Sequence, residues 1–283
     1  MRSIDTSGPT AWRSATQFTL PPFSHARTRR ERSLVDAVIV ADLNEPSDIH
    51  GMHSGEGLAR WKVLARRGSL FGYWEAVEWS ALPPGGVSGE HIHSRTEELY
   101  FIVSGDGEMT LNGRTHQVRP GHLIVNGLGT RHGLRNTGDE ELVWLVIEVS
   151  GPHTAAVLDT PRETPRHEPE RTAMSDAVVI DLRQAGQVDT TEHLTGPLRL
   201  ARLVRLRPGE PLELSADAEE HTVYTIGGQG RARGSSETVA LRSGVGLTLP
   251  LGGTVSIEAA SQRDPLELFV VSLDVPGAEG GRQ

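Results

Sequence analysis

Apolar and polar residues alternate in short runs along this chain, the period-two signal of half-buried β-strands. YWEAVEWSAL (73–82), LYFIVSG (99–105) and ELVWLVIEV (141–149) read as strands of a closed sheet. EMTLNGRTHQV (108–118) reads as a hairpin turning at Asn112-Gly113. The rhythm returns in LARLVRLRPG (200–209), HTVYTIGG (221–228) and LELFVVSLDV (266–275), and DAVIVADL (36–43) and DAVVIDL (176–182) open the two stretches alike. Two copies of one β-unit explain this pattern, so the predicted fold is all-β, built from two linked antiparallel barrels or jelly rolls.

Spacing sets the boundaries. Gly85 and Gly209 lie 124 residues apart, and the pairs Gly121/Gly244 and Gly129/Gly252 lie 123 apart, whereas the opening strands are 140 apart. The first copy therefore carries about 16 extra residues near 42–57 by this repeat arithmetic. They hold Asp48, His50, His53 and Glu56 and read as a polar loop rather than a second metal site. The expected organisation is an arm over 1–35, a first domain over 36–150, a Pro-rich linker over 151–175, a second domain over 176–275 and a tail over 276–283.

Composition narrows the chemistry. With no cysteine, disulfides, zinc-thiolate sites, iron–sulfur clusters and cysteine nucleophiles are excluded, so any metal must sit on His, Asp or Glu. A formal charge of −9 argues against a nucleic-acid partner. No run approaches the roughly 18 uninterrupted apolar residues of a membrane span. The arginine-bearing N-terminal segment has no secretory core behind it, which points to a cytoplasmic protein with a small-molecule partner and no membrane.

The informative stretch runs from Gly85 to Gly105. His91 and His93 are two apart and leave one face of a strand, Glu98 starts the next strand, and His132 offers a fourth donor from further along the chain. Three neutral imidazoles and a carboxylate suit a divalent first-row metal. Glu97 is the rival of Glu98.

This stretch resembles the cupin superfamily, whose first motif, G(X)5HXH(X)3,4E(X)6G, matches at every fixed position from Gly85 to Gly105. The second motif, G(X)5PXG(X)2H(X)3N, matches at Gly121, Gly129, His132 and Asn136 and departs at Gly127, where the family has proline. That departure should loosen the turn before His132. The resemblance implies metal ligands at His91, His93, Glu98 and His132. In the second copy Ser215, Asp217, His221 and Val255 stand at those positions, so that barrel reads as a structural partner without a metal.

The resemblance implies an oxygenase acting on a small organic molecule, with Fe(II) favoured and Mn(II), Ni(II) or Zn(II) also suitable. Lewis-acid isomerisation, cyclisation or elimination is the alternative enzyme, and a non-catalytic ligand-binding module the third reading. One carboxylate against a divalent ion leaves the site net positive, which favours anionic or enolisable oxygen substrates. Strand parity sends Tyr100 and Ile102 inward with Glu98, and either Glu75 or Glu78 from 73–79. Tyr100, Glu75 and Glu78 are therefore the candidates for substrate orientation or proton transfer. Asn136 is expected to tie down a turn, Lys62 to be a surface charge, and the chain to form a homodimer.

Overall fold

A computed structural model describes residues 38–159, 177–261 and 263–278; the arm expected over 1–35, most of the linker and the end of the tail lie outside them. The described strands form four antiparallel sheets. One barrel pairs a seven-stranded sheet with the four-stranded sheet of 87–92, 131–136, 107–111 and 114–118; the other pairs a six-stranded sheet with that of 212–215, 254–259, 229–233 and 238–242. The predicted hairpin forms between Gly107–Leu111 and Arg114–Val118. Asn112 and Gly113 at its tip have φ of 48° and 80°, as a tight two-residue turn requires. The start of the expected linker, by contrast, is helical over Pro152–Asp159.

The two opening strands change places. Ile39–Ala41 pairs with Gly246–Leu249 in the six-stranded sheet, and Val178–Asp181 pairs with His122–Asn126 in the seven-stranded one. Each barrel is thus completed by the first strand of the other repeat, and the segments 36–150 and 176–275 are not self-contained. Alternation specifies which face of an edge strand is buried but not which sheet edge it joins. With near-identical strands, only the path of the connections separates the two outcomes.

Parity in Thr96–Ser104 organises the core. Leu99 and Phe101 face outward from the first barrel and pack, with Trp79, Leu145 and Ile147, against Phe269, Val271 and Leu273 of the second. Phe101 and Phe269 stack with centroids 4.1 Å apart. Tyr100 and Ile102 face the interior of their own barrel among Met109, Leu134 and Trp144. The second barrel has its own interior around Val223, Leu247, Val255 and Ile257.

Two buried carboxylates fasten the barrels together. Glu97, fully buried, accepts hydrogen bonds from Thr195 N, Thr195 Oγ1 and Gly196 N. Glu220, at the repeat-equivalent position and equally buried, accepts from Phe71 N, Gly72 N, Trp74 Nε1 and Leu251 N. Each reaches across to a loop of the opposite barrel. The approach needs glycine: a Cβ on Gly196 would lie 2.5 Å from Glu97 Oε2, and one on Gly72 would lie 2.3 Å from Leu273 Cδ2. A buried charge of this kind is tolerated because donors surround it.

Candidate metal centre

Both sheets of the first barrel contribute to the site. His91 is carried by Val87–Ile92 and sits opposite His132 on the neighbouring strand Arg131–Asn136, whose register shifts after His132. His93 follows the end of strand 87–92, and Glu98 comes from strand 96–104 of the large sheet. One donor atom from each of His91, His93, Glu98 and His132 lies within 4.8 Å of the others, and they are the one such group among the described residues. Glu97 points away, into its interbarrel role, and this separates it from Glu98. The turn before His132 closes despite Gly127: Thr130 N donates to Gly127 O at 3.2 Å, and Gly129 N to His93 O at 2.9 Å.

Hydrogen bonds outside the cluster set the imidazole tautomers. His91 Nδ1 lies 2.9 Å from Gly89 O, and a carbonyl only accepts, so Nδ1 carries the proton and Nε2 the lone pair. Thr96 Oγ1 donates to Glu148 Oε1 at 2.7 Å and so accepts from His93 Nδ1, also 2.7 Å away. The Nε2 atoms of His91, His93 and His132 are all buried without a hydrogen-bond partner among the described residues. His132 Nε2 is 2.5 Å from Glu98 Oε1 but without the alignment of a hydrogen bond. With His91 and His93 held as lone-pair donors and His132 Nε2 beside the same carboxylate, the donor set fits a divalent first-row metal.

Electrostatics agree with the geometry at His91 and Glu98, while at His93 burial is outweighed by Glu148 and Glu98, which raise its pKa. Burial lowers the His91 pKa to about 4, which keeps it a neutral donor. Burial alone would raise Glu98, but the imidazoles of His132, His93 and His91 outweigh it and hold the carboxyl below its usual range. Asn126 Nδ2 donates to Glu98 Oε1 at 3.2 Å and fixes its orientation.

A pocket of about 390 Å³ opens over the group. Glu98, His91 and His93 line it with Trp61, Glu78, Tyr100, Trp144 and Glu148 as walls and Ile49, Met52 and His53 at one side. Tyr100 and Glu78 both line this pocket. Burial raises the Glu78 carboxyl, against a hydrogen bond from Trp61, and pushes the Tyr100 hydroxyl well above its usual value. The Tyr100 ring meets His132 edge-on at 5.5 Å. Glu75 lies outside the pocket lining and accepts from Arg67 Nη1 and Ser150 Oγ. The alternation offered either Glu75 or Glu78, and the inward face is the one with Glu78 and Ser80. Asn136 ties its turn through Leu82 O, Glu140 O and Gly138 N. Lys62 donates to Asn44 O.

Two residues of the site go beyond the sequence reading. Glu148 is the lone acid in Leu142–Ser150 and shares the parity of Trp144 and Val146, a signal within a strand that otherwise reads as core. His53 comes from the extra segment read as a polar loop. Its ring stacks on His91 at 3.7 Å, and its Nδ1 lies 2.9 Å from Ser88 Oγ. Its backbone is left-handed, φ 52°, and a Cβ on Gly89 would lie 2.2 Å from His53 O. Glycine at 89 is what lets this turn lie against strand 87–92. Losing the Glu148 contact with His93 should weaken metal affinity about 10–100-fold without abolishing it. Metal titration of Glu148→Leu beside the parent chain checks this.

The second barrel holds no equivalent among its described residues. Ser215 and Asp217 are exposed, Val255 is buried, and His221 is spent on Ser272 Oγ and Ser215 O. Asp217→Ala and His221→Ala are expected to leave metal content within about 10% of the parent, since two such donors rarely make a site. Elemental analysis of the purified variants decides it.

A model of the cupin domain matches residues 78–148. The chain is 28% identical over 102 residues to the oxalate-binding protein of Thermotoga maritima, covering 36% of this chain and 84% of that relative. It is 38% identical over 58 residues to polyketide synthase CurC of Streptomyces cyaneus, covering 20% of this chain and 38% of that relative. Among solved structures, protein Ylba from E. coli superposes with a TM-score of 0.63 at 12% identity, covering 84% of this chain and 91% of that one. A deletion variant of oxalate decarboxylase from Bacillus subtilis gives a TM-score of 0.58 at 16% identity over 84% of this chain and 77% of that one. At such identities the structural likeness shows the fold. No helix among the described residues is long and apolar enough to cross a membrane.

Proposed function

We propose that this chain, which belongs to the cupin superfamily and folds as two linked cupin barrels, is a metal-dependent enzyme that oxygenates a small organic molecule in the pocket of its first barrel. One observation carries the reading: three buried Nε2 atoms without partners surround a buried carboxylate at an open pocket. Fe(II) is the ion this reading favours, with Mn(II), Ni(II) and Zn(II) also suited to His91, His93, Glu98 and His132. A divalent ion held there supplies Lewis acidity and coordination positions open to the pocket.

The protein's own residues supply the rest. Gly89 O and the Thr96–Glu148 pair hold two imidazoles in the ligating tautomer, and Asn126 orients Glu98. Trp61, Tyr100 and Trp144 shape the space beside the ion site. Glu78, whose carboxyl burial shifts toward the protonated form, lines the pocket where it can exchange a hydrogen bond or a proton with a bound molecule. The second barrel is a structural partner that buries the outer face of the large sheet, in a protein we take to be a cytoplasmic homodimer.

Glu78 and Tyr100 favour a second reading: Lewis-acid isomerisation, cyclisation or elimination, which needs proton-bearing groups beside the ion. Elemental analysis of protein purified without added metal, followed by assays of a small-molecule panel with and without oxygen, separates the two. Iron content with oxygen consumed on turnover supports the first. Turnover under anaerobic conditions with a redox-inert ion replaces it by the second, and tight binding with no product overturns both.

A further inference from the structure

We propose that the pocket selects an uncharged, planar molecule bearing hydroxyl or keto oxygens and discriminates against small dicarboxylates such as oxalate. The inference rests on the first-barrel pocket being the substrate site, as read above, and concerns what its walls accept.

The four-ligand set considered alone leaves a positive surplus on a divalent ion, and on that basis an anionic substrate is expected. The walls reverse this. Besides Glu98, the pocket is lined by Glu78 and Glu148, and neither arginine nor lysine is among its lining residues. Three carboxylates against one divalent ion leave no positive surplus, with or without a proton on Glu78. A dianion entering would meet like charge at close range and low dielectric, with no guanidinium or ammonium to pair it.

Of the nearby cations, Arg66 acts on Glu78 from outside the lining, and three others are committed elsewhere. Strand Leu58–Arg66 turns Trp61 into the pocket, while Arg60 on the opposite face forms an ion pair with Glu141 and lies over the Trp79 ring. Lys62 donates to Asn44 O, and Arg67 pairs with Glu75.

Apart from His53, Ser80 and Gly51, the remaining lining is aromatic and apolar. Trp61, Tyr100 and Trp144 present ring surface, and Met52, Ile49 and Val146 add apolar area. Trp61 is the half-buried aromatic face of the pocket, with Tyr100 and Trp144, 6.1 Å apart between centroids, almost wholly buried beside it. Flat apolar surface rewards a ring, and the ion position together with Glu78 rewards oxygens on that ring.

The test uses the full chain loaded with Zn(II), titrated calorimetrically with catechol and with oxalate, with metal content measured on the same samples before and after. Catechol is expected to bind at least about tenfold more tightly than oxalate. Glu78→Lys, which gives the wall a cation, should raise oxalate affinity by about tenfold. If that variant does not fold, the comparison in the parent chain still decides. A chain that holds Zn(II) and binds oxalate as tightly as catechol, or binds neither, overturns the substrate class and leaves the metal centre standing. Preference for catechol in a chain that takes up no Zn(II) supports the substrate class and removes the metal reading.

Discussion

Replacing His132 by alanine should empty the metal centre while leaving the barrels folded. His132 is 1% exposed, and its Nε2 faces Glu98 with no other partner among the described residues, so removing it takes a ligand from the centre. Loss of groups that merely support ligands costs about 10–100-fold in affinity, and loss of a ligand should exceed that. Metal content after desalting is therefore expected to fall below about a tenth of the parent's. The fold should survive because the interior around Tyr100, Ile102, Met109 and Leu134 is apolar and the barrels meet through a separate core. Unchanged far-ultraviolet circular dichroism checks this second half. Metal retained at parental stoichiometry would mean that the ion sits elsewhere.

The second large effect concerns stability. Glu220→Ala should cost about 3–6 kcal/mol, because hydrogen bonds to a charged group contribute about 1.5–3 kcal/mol each and two of its donors, Gly72 N and Trp74 Nε1, are left buried and alone. Four donors, Phe71 N, Gly72 N and Leu251 N from two loops and Trp74 Nε1 from the start of strand 74–82, converge on this one carboxylate. Denaturant unfolding should show a lower midpoint. A loss under about 1 kcal/mol would place the carboxylate among weakly contributing surface-type pairs. Glu97→Ala, which strands Thr195 N, Thr195 Oγ1 and Gly196 N, should act in the same direction. Since Glu97 and Glu98 are neighbours on one strand, the two alanine variants also separate roles: Glu97→Ala should lower stability and keep the metal, and Glu98→Ala should lose the metal.

Much of the fold and the ligand cluster was legible from residue order because strands impose a strict alternation. Once Glu98 points inward, Tyr100 and Ile102 must follow, and they do. Asn112-Gly113 marked its hairpin because few other pairs accept left-handed backbone twice in succession. His91 and His93, two apart, had to share a side. What escaped depended on relations that alternation does not encode. The exchange of 39–41 and 178–181 is a choice between two similar sheet edges, made by chain connections. Glu75 and Glu78 lie three apart and so take opposite faces, but nothing local says which face is inner. His53 reaches the site because a glycine at 89 lets a distant turn settle on the strand, a fact of three-dimensional packing. Glu148 escaped for a related reason: it stands on a strand that, by composition, reads as core.

The most direct test is a crystal structure of the metal-loaded chain with diffraction recorded at the absorption edge of the bound ion. The account predicts one strong anomalous peak per chain in the first barrel, about 2.0–2.2 Å from the Nε2 atoms of His91, His93 and His132 and from a Glu98 oxygen, and none in the second barrel. An ion held by other residues, or no peak among these four side chains in a protein that carries stoichiometric metal, would contradict it.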